Sequence, residues 1–296
     1  MLLDKKITLW YLLVQVLFDV LAVTAIAIVS LIISVNYENL LLQMPLTIPA
    51  FIGTGISILI SFKFNQSYDR WWEARKVWGS IVNDSRSFVI QLLSFAGGTT
   101  DANVKKMAYR QIAWCYALGR SLRGLDPLEG TDKLLSADDI SAVSQHRNIP
   151  LGLLQLHSED IRAMKHAGHL DIFSQIQLDN TLTRLCDAQG KSERIKSTVF
   201  PPTFRMFLHF MIYMFVITLS ISIRNVGSGE IVLLLLISAP FFILEKSASL
   251  MQEPFENRPS DTAVTAIART IEINIRQLLK ETDVPPPHQP EKFFLT

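Results

Sequence analysis

Charge is the scarce ingredient of this chain. Only 19% of its 296 residues are Asp, Glu, Lys or Arg, against roughly 25% in a typical soluble domain. The shortfall is concentrated in a few uncharged runs, which excludes an ordinary soluble globule and leaves a polytopic membrane protein with a soluble part. The 28 basic and 27 acidic residues nearly cancel, to a net +1. With no long basic tract, the electrostatics of a nucleic-acid binder are absent. Cysteine is almost missing: Cys115 and Cys186 lie in polar helical patterns, exclude a disulfide scaffold, and are expected to be reduced and inert. The chain also lacks a phosphate-binding glycine loop, a His-Glu metalloprotease signature and a Ser, His and Asp set that the sequence brings together. No enzyme, metal centre or cofactor is therefore expected. His166 and His169 are spaced i, i+3 as a metal pair on one helix face would be, but nothing completes the shell, so solvated surface is expected. A cleavable signal peptide is not expected either, because the apolar run after Lys5 and Lys6 continues too far without a small-residue cleavage site.

What is present is hydrophobic: 49% of the residues and a mean hydropathy of +0.27. A first span is expected within Trp10 to Val35, interrupted by Asp19, which would serve ion passage or a helix-to-helix hydrogen bond. The second is the uncharged stretch Met44 to Phe62, with Pro45 and Pro49 shaping its start, and it is long enough to cross most of a hydrocarbon core. The third is Met206 to Ile223. The uncharged core of the fourth, Ile231 to Leu244, is too short to cross alone, so Glu245 to Met251 is expected to continue its helix. Basic residues near the spans, among them Lys63, Arg70, Arg75, Lys76, Lys196, Arg205 and Lys246, fall on the side of the large polar segment. The positive-inside rule then puts both termini and that segment in the cytoplasm.

The stretch around which the chain is organised is 44–79. From Lys63 the apolar helix is expected to continue into water, since no Pro interrupts Ala50 to Gly79 and good helix formers crowd Trp71 to Val77. Thr54, Ile58 and Phe62 recur every fourth residue and so share one stripe, each step rising roughly 6 Å. On the other side Gly53, Gly55, Ser57 and Ser61 are small enough to let backbones approach. Copies of this helix around an axis would make stacked uncharged rings that gate by dewetting. Packing against lipid or a neighbouring helix would produce the same stripe. Tyr68, Trp71, Trp72, Arg75 and Trp78 form a second stripe, read as an interfacial belt or as helix packing.

The polar segment is expected to be helical. The long helix should fade at Gly97-Gly98, Asp101 should cap a helix running to about Leu122, and Ser136 should start a short one. His157 to Arg194 reads as one or two helices with a break at Gly190, ended by Pro201-Pro202. The resulting division is 1–62 for two transmembrane helices, 63–202 for a cytosolic helical domain, 203–251 for two more transmembrane helices, and 252–296 for a C-terminal helix and tail. The fold class is all-α, a membrane protein with four transmembrane helices and a helical cytosolic domain.

Phe62 followed by Asn65, Tyr68, Asp69, Arg70, Trp71, Trp72, Glu73, Ala74, Arg75, Lys76, Val77, Trp78 and Gly79 resembles the signature of the bestrophin family of ion channels. Ser192-Glu193-Arg194-Ile195 and Glu253-Pro254-Phe255 add to the resemblance, which covers essentially the whole chain. It implies a homopentameric channel with one axial pore, whose second helix lines a neck with rings at Thr54, Ile58 and Phe62. Thr54 is smaller and more polar than the residue the family usually has there. The resemblance also implies a second, cytosolic constriction, for which Phe173 is the candidate and Leu170 and Ile176 are the alternatives one turn away. Animal members bind calcium in an acidic run after the Pro-Phe, whereas here the chain reads Glu256-Asn257-Arg258-Pro259-Ser260-Asp261. Too few carboxylates remain for calcium, and the chain resembles the bacterial members. The implied function is passive flow of small monovalent ions across a bacterial inner membrane, with chloride-like anions favoured and the homopentamer, lipid and permeating ions as partners. A sodium-selective channel of the same architecture, or a non-conducting scaffold whose cytosolic helices bind a protein partner, are the alternatives.

Overall fold

The computed structural model describes residues 11, 14–36, 44–198, 201–227, 229–290 and 294–295. Among them regular structure is helical: α1 Leu17–Asn36, α2 Thr47–Phe95, α3 Ala102–Leu122, α4 Ala137–Ser144, α5 Ile149–His166, α6 Ile172–Ser197, α7 Pro202–Ile223, α8 Gly229–Met251 and α9 Val264–Leu278. Lys5, Lys6, Trp10 and most of the connection before Pro45 lie outside the described residues. The chain divides into two compact units. One is built from the described parts of Lys6–Arg70 and Val199–Gln252, the other from Trp71–Thr198 with the described part of Glu253–Thr296. Helix α2 contributes to both.

The first unit is apolar. Helices α2, α7 and α8 are long and hydrophobic enough to cross a membrane, and the apolar described part of α1, Leu17–Ile33, is shorter. Its core is a single cluster that includes Val23 of α1, Ile56 and Ile60 of α2, Ile212 and Phe215 of α7, and Leu234 and Phe242 of α8. Gly53 makes this packing possible, because a Cβ there would lie 3.1 Å from the Phe215 ring, closer than ordinary van der Waals contact. As expected from its short uncharged core, α8 continues through Glu245 to Met251. Asp19 accepts a hydrogen bond from the Tyr213 hydroxyl of α7 at 2.8 Å, the helix-to-helix contact that was one of its two readings.

The second unit starts its helices where local chemistry dictates. Asp101 accepts from the backbone N–H groups of Asn103 and Val104, Ser136 from that of Asp139, and Asp171 from those of Phe173 and Ser174. Each cap satisfies donors that a helix N-terminus leaves open. The expected break at Gly190 is not there. Helix α6 runs through it to Ser197, because Gln189, Ser192 and Ile195 are buried and that packing outweighs the cost of a helical glycine, about 1 kcal/mol. The chain breaks instead at Gly168, whose φ of +77° is a left-handed conformation that glycine adopts without penalty. That turn also separates His166, at the end of α5, from His169, so the two do not share a helix face.

The core of this unit joins Trp78, Phe88 and Leu92 of α2 to Trp114 of α3, Leu153 of α5, Leu185 of α6 and Ile271 of α9. At its centre Arg110 is buried between Asp139 at 2.8 Å and Asp160 at 2.7 Å, tying α3 to α4 and α5. Cys115 is buried, where desolvation pushes its thiol up to about 12, and such a thiol is inert at neutral pH. Cys186 is a free, exposed thiol.

Candidate pore-lining surface

Helix α2 presents two opposite faces in the apolar unit. Gly53, Ile56, Ile60, Lys63 and Ser67 are buried within the chain. At 100° per residue these positions centre on one direction, and Thr54, Ile58 and Phe62 centre on the direction diametrically across. Thr54 is exposed, Ile58 is 54% exposed and Phe62 is 63% exposed. The three neck candidates are therefore not part of the chain's own core, and packing inside the subunit does not account for their apolar character. The small-residue face is only partly as expected: Gly53 is covered by Phe215, whereas a Cβ at Gly55 would meet nothing within 4 Å and Ser57 and Ser61 are exposed. Thr54 donates its hydroxyl to the Ala50 carbonyl at 2.9 Å. Its polar atom is thus satisfied by its own helix, which offsets the extra polarity that the sequence implies at this position.

Directly after Phe62 comes a residue that the sequence misassigns. Lys63, expected to begin the water-exposed half of the helix, is 1% exposed. Its ammonium lies 2.5 Å from Glu245 Oε1 and 2.7 Å from Ser249 Oγ, both on α8. His209 Nε2 of α7 is 3.5 Å from the other carboxylate oxygen. This cluster fixes α2 to α7 and α8 immediately beside the Phe62 position. A Lys adjacent to a long apolar run carries no sequence signal of such burial, because its partners come about 180 residues later.

The aromatic stripe after it divides between environments. Trp78 is buried in the core and Trp71 is half-buried, donating its indole N–H to the Ser260 carbonyl at 3.0 Å. Tyr68, Asp69 and Trp72 are exposed, and Arg70 and Arg75 are half-buried. Glu73 pairs with Arg194 of α6 at 3.2 Å, so two of the segments singled out in the sequence meet. The third, around Pro254-Phe255, folds as a tight loop: Phe255 is buried, and Asp261 Oδ2 accepts from the backbone N–H groups of Glu256 and Arg258. Glu256 pairs with Lys196, and Glu253 with Arg258. The carboxylates of this loop thus already have protein partners. Among the described residues no group of three His, Cys, Asp or Glu side chains is placed to hold a metal.

The first turn of α6 carries a separate apolar patch. Phe173 is 77% exposed and Ile176 49% exposed, while Leu170 is 5% exposed and belongs to the core. Ile172, which the sequence reading did not include, is 54% exposed beside Phe173. Both follow Asp171, the N-cap of α6.

Comparison with known proteins agrees with this architecture. The chain is 29% identical to a voltage-dependent anion channel-forming protein of Ralstonia nicotianae, over 90% of this chain and 88% of that one. It is 26% identical to the voltage-dependent anion channel-forming protein YneE of Escherichia coli, over 87% and 84%. Among solved structures, the crystal structure of a bacterial bestrophin homolog from Klebsiella pneumoniae has the same fold, with a TM-score of 0.84 at 24% identity, covering 90% of this chain and all of that one. The family model described as Bacterial/Fungal Bestrophin protein matches residues 11–277. The chain is a bacterial-type membrane protein of a channel family and not an enzyme: it belongs to the bestrophin family.

Proposed function

We propose that this chain forms a homopentameric channel for passive flow of small monovalent anions such as chloride across the bacterial inner membrane, with the polar unit and both termini in the cytoplasm. The observation that carries this reading is the two-faced α2, whose Gly53, Ile56, Ile60 and Lys63 side is packed inside the subunit while Thr54, Ile58 and Phe62 face away from it. An uncharged exposed stripe along a membrane-length helix suits a pore neck formed by several copies, in which rings of Phe62 and Ile58 exclude water in the closed state. The anion preference is supported by relatives that are named anion channel-forming proteins. A second constriction is built from the exposed first turn of α6, at Phe173 with Ile172 and Ile176. Conduction does not require calcium, because Glu253, Glu256 and Asp261 around Phe255 are engaged in ion pairs or backbone bonds.

The test is the purified protein in a planar bilayer under a potassium chloride gradient. A reversal potential near the chloride equilibrium value, unchanged when calcium is chelated, is the expected result. A potential of the opposite sign identifies a cation channel of the same architecture. No current from protein that native mass spectrometry shows to be an intact oligomer identifies a membrane scaffold instead.

A further inference from the structure

The polar unit contains a cleft of about 710 Å³ between α3 and α9, with Asp283 and Pro285 of the C-terminal tail at its edge. Five basic side chains and three carboxylates line it. Most of these charges neutralise one another. Glu272 holds Arg269 and Arg276, each at 3.0 Å, and Arg120 pairs with Glu129. Two cations are left over. Lys133 has no ion-pair partner among the described residues. Arg123 donates to the Thr265 hydroxyl at 2.6 Å, but its Nε is buried with no hydrogen-bond partner, as is the Nε of Arg276. Burial lowers the Arg123 pKa from its ordinary value, the neighbouring Arg120 lowers it further, and Asp261 opposes both. A guanidinium that is desolvated and lacks a carboxylate partner within ion-pair distance favours an anion that brings its own acceptors.

We propose that this cleft is a binding site for a small phosphomonoester, with Arg123 holding the phosphate group and Lys133 adding a second positive charge at the rim. The planar guanidinium fork matches the paired oxygens of a phosphate, and a lysine serves as a mobile point charge beside it. The volume is far larger than a bare oxyanion needs and falls within the usual range for organic ligands, about 300–1,000 Å³. The organic part therefore lies along the wall formed by Tyr109, Tyr116 and Gly119. That wall carries charge at its edges: the Tyr109 hydroxyl donates to Glu281 and the Tyr116 hydroxyl to Glu272, with Arg276 and Arg269 over the two rings. A hydroxyl-rich moiety such as a sugar fits it better than a hydrophobic one. The competing account is that a water molecule joins Arg123 Nε to Asp261 Oδ1, which is also buried without a partner, and that the cleft is merely a surface depression.

The test is isothermal titration of the full-length protein in detergent with adenosine 5′-monophosphate, with inorganic phosphate, and with adenosine as the uncharged control, at constant ionic strength. Saturable binding of the monophosphate, weaker binding of inorganic phosphate and no binding of adenosine are expected. Arg123→Gln and Lys133→Gln should each weaken the monophosphate at least tenfold, with the elution volume of the oligomer unchanged. Lys133→Gln keeps the test valid if Arg123→Gln disturbs folding, since Lys133 is exposed. The absence of saturable binding by either phosphate compound, or affinity unchanged in Lys133→Gln, overturns the proposal in favour of the water-bridged pair.

Discussion

Lys63 Nζ of α2 lies 2.5 Å from Glu245 Oε1 of α8, with both side chains removed from solvent. One residue before this pair and about 100° around the helix, Phe62 turns out of the subunit and is exposed. The ion pair therefore sets the rotation of α2 about its own axis, and with it the direction of the proposed neck residues. An apolar contact at the same place would allow the helix to slip by a fraction of a turn, whereas a buried charge is costly unless its partner is met.

Removing one member of the pair should be worse than removing both. Lys63→Met or Glu245→Leu alone leaves an uncompensated buried charge and is expected to cost about 3–5 kcal/mol, seen as lower thermal stability and loss of the assembled species on size exclusion. The double variant Lys63→Met with Glu245→Leu should recover most of that loss. Single variants as stable as the parent would remove the pair from the packing of α2.

A pH dependence follows from His157, which is fully buried in the polar unit with neither ring nitrogen hydrogen-bonded and its ring edge-on to Phe88 at 4.8 Å. Burial, with Arg110 and Lys106 nearby, lowers its pKa well below 6.5. The unfolded chain then binds a proton that the folded chain refuses. Stability contributed by this residue is complete above about pH 6.5 and falls as pH drops below it, by at most about 1.4 kcal/mol per pH unit. His157→Leu should melt at about the parent temperature at pH 8 and lose less stability than the parent between pH 6.5 and 5.5. Parallel melting curves for the two proteins over that range would show that His157 is not the source of acid sensitivity.

How far the sequence reveals this molecule depends on the range of the interaction involved. The caps at Asp101 and Ser136 were legible because a cap needs only its own next three residues. The Thr54, Ile58 and Phe62 stripe was legible because a helix has a fixed period, and the continuation of α8 past Glu245 followed from length alone. Gly190 was misread because local propensity is weak against the burial of Gln189 and Ile195. Lys63 was misread for the same reason at longer range: nothing near it announces Glu245, Ser249 and His209. Ile172 is missed because the resemblance places the constriction only to within a helical turn, while the cap at Asp171 fixes the first residues of α6.

The exposed turn of α6 makes a prediction of its own. If Ile172 and Phe173 line a constriction, Phe173→Ala and Ile172→Ala should change the relative permeability among anions of different size and leave assembly intact, since neither side chain is in the core. Leu170→Ala, by contrast, should reduce stability by the roughly 2–5 kcal/mol typical of a truncated core leucine. Permeability ratios from bi-ionic reversal potentials separate the two outcomes, and unchanged ratios in both exposed-site variants would assign this patch to another role.

The neck carries the sharpest test. A ring of Phe62 side chains offers an ion no replacement for its hydration shell, so a narrow ring holds a barrier made of lost hydration, not of repulsion by charge. Ile58 would form a second such ring one turn away on the same exposed face. Truncating either to Ala widens the ring and admits water, and each 1.4 kcal/mol removed from a limiting barrier raises conduction about tenfold. At a packing position the same truncation would leave a cavity, weaken assembly and lower the current. Ile58→Ala and Phe62→Ala are therefore expected to assemble normally and carry more current than the parent. Thr54→Ala should have the smallest effect, because its hydroxyl already bonds to Ala50 and little besides a methyl group faces outward. Planar-bilayer recordings in which both large-residue variants form intact oligomers yet conduct no better than the parent would take these residues out of the gate and leave their exposed face to lipid or to a neighbouring subunit.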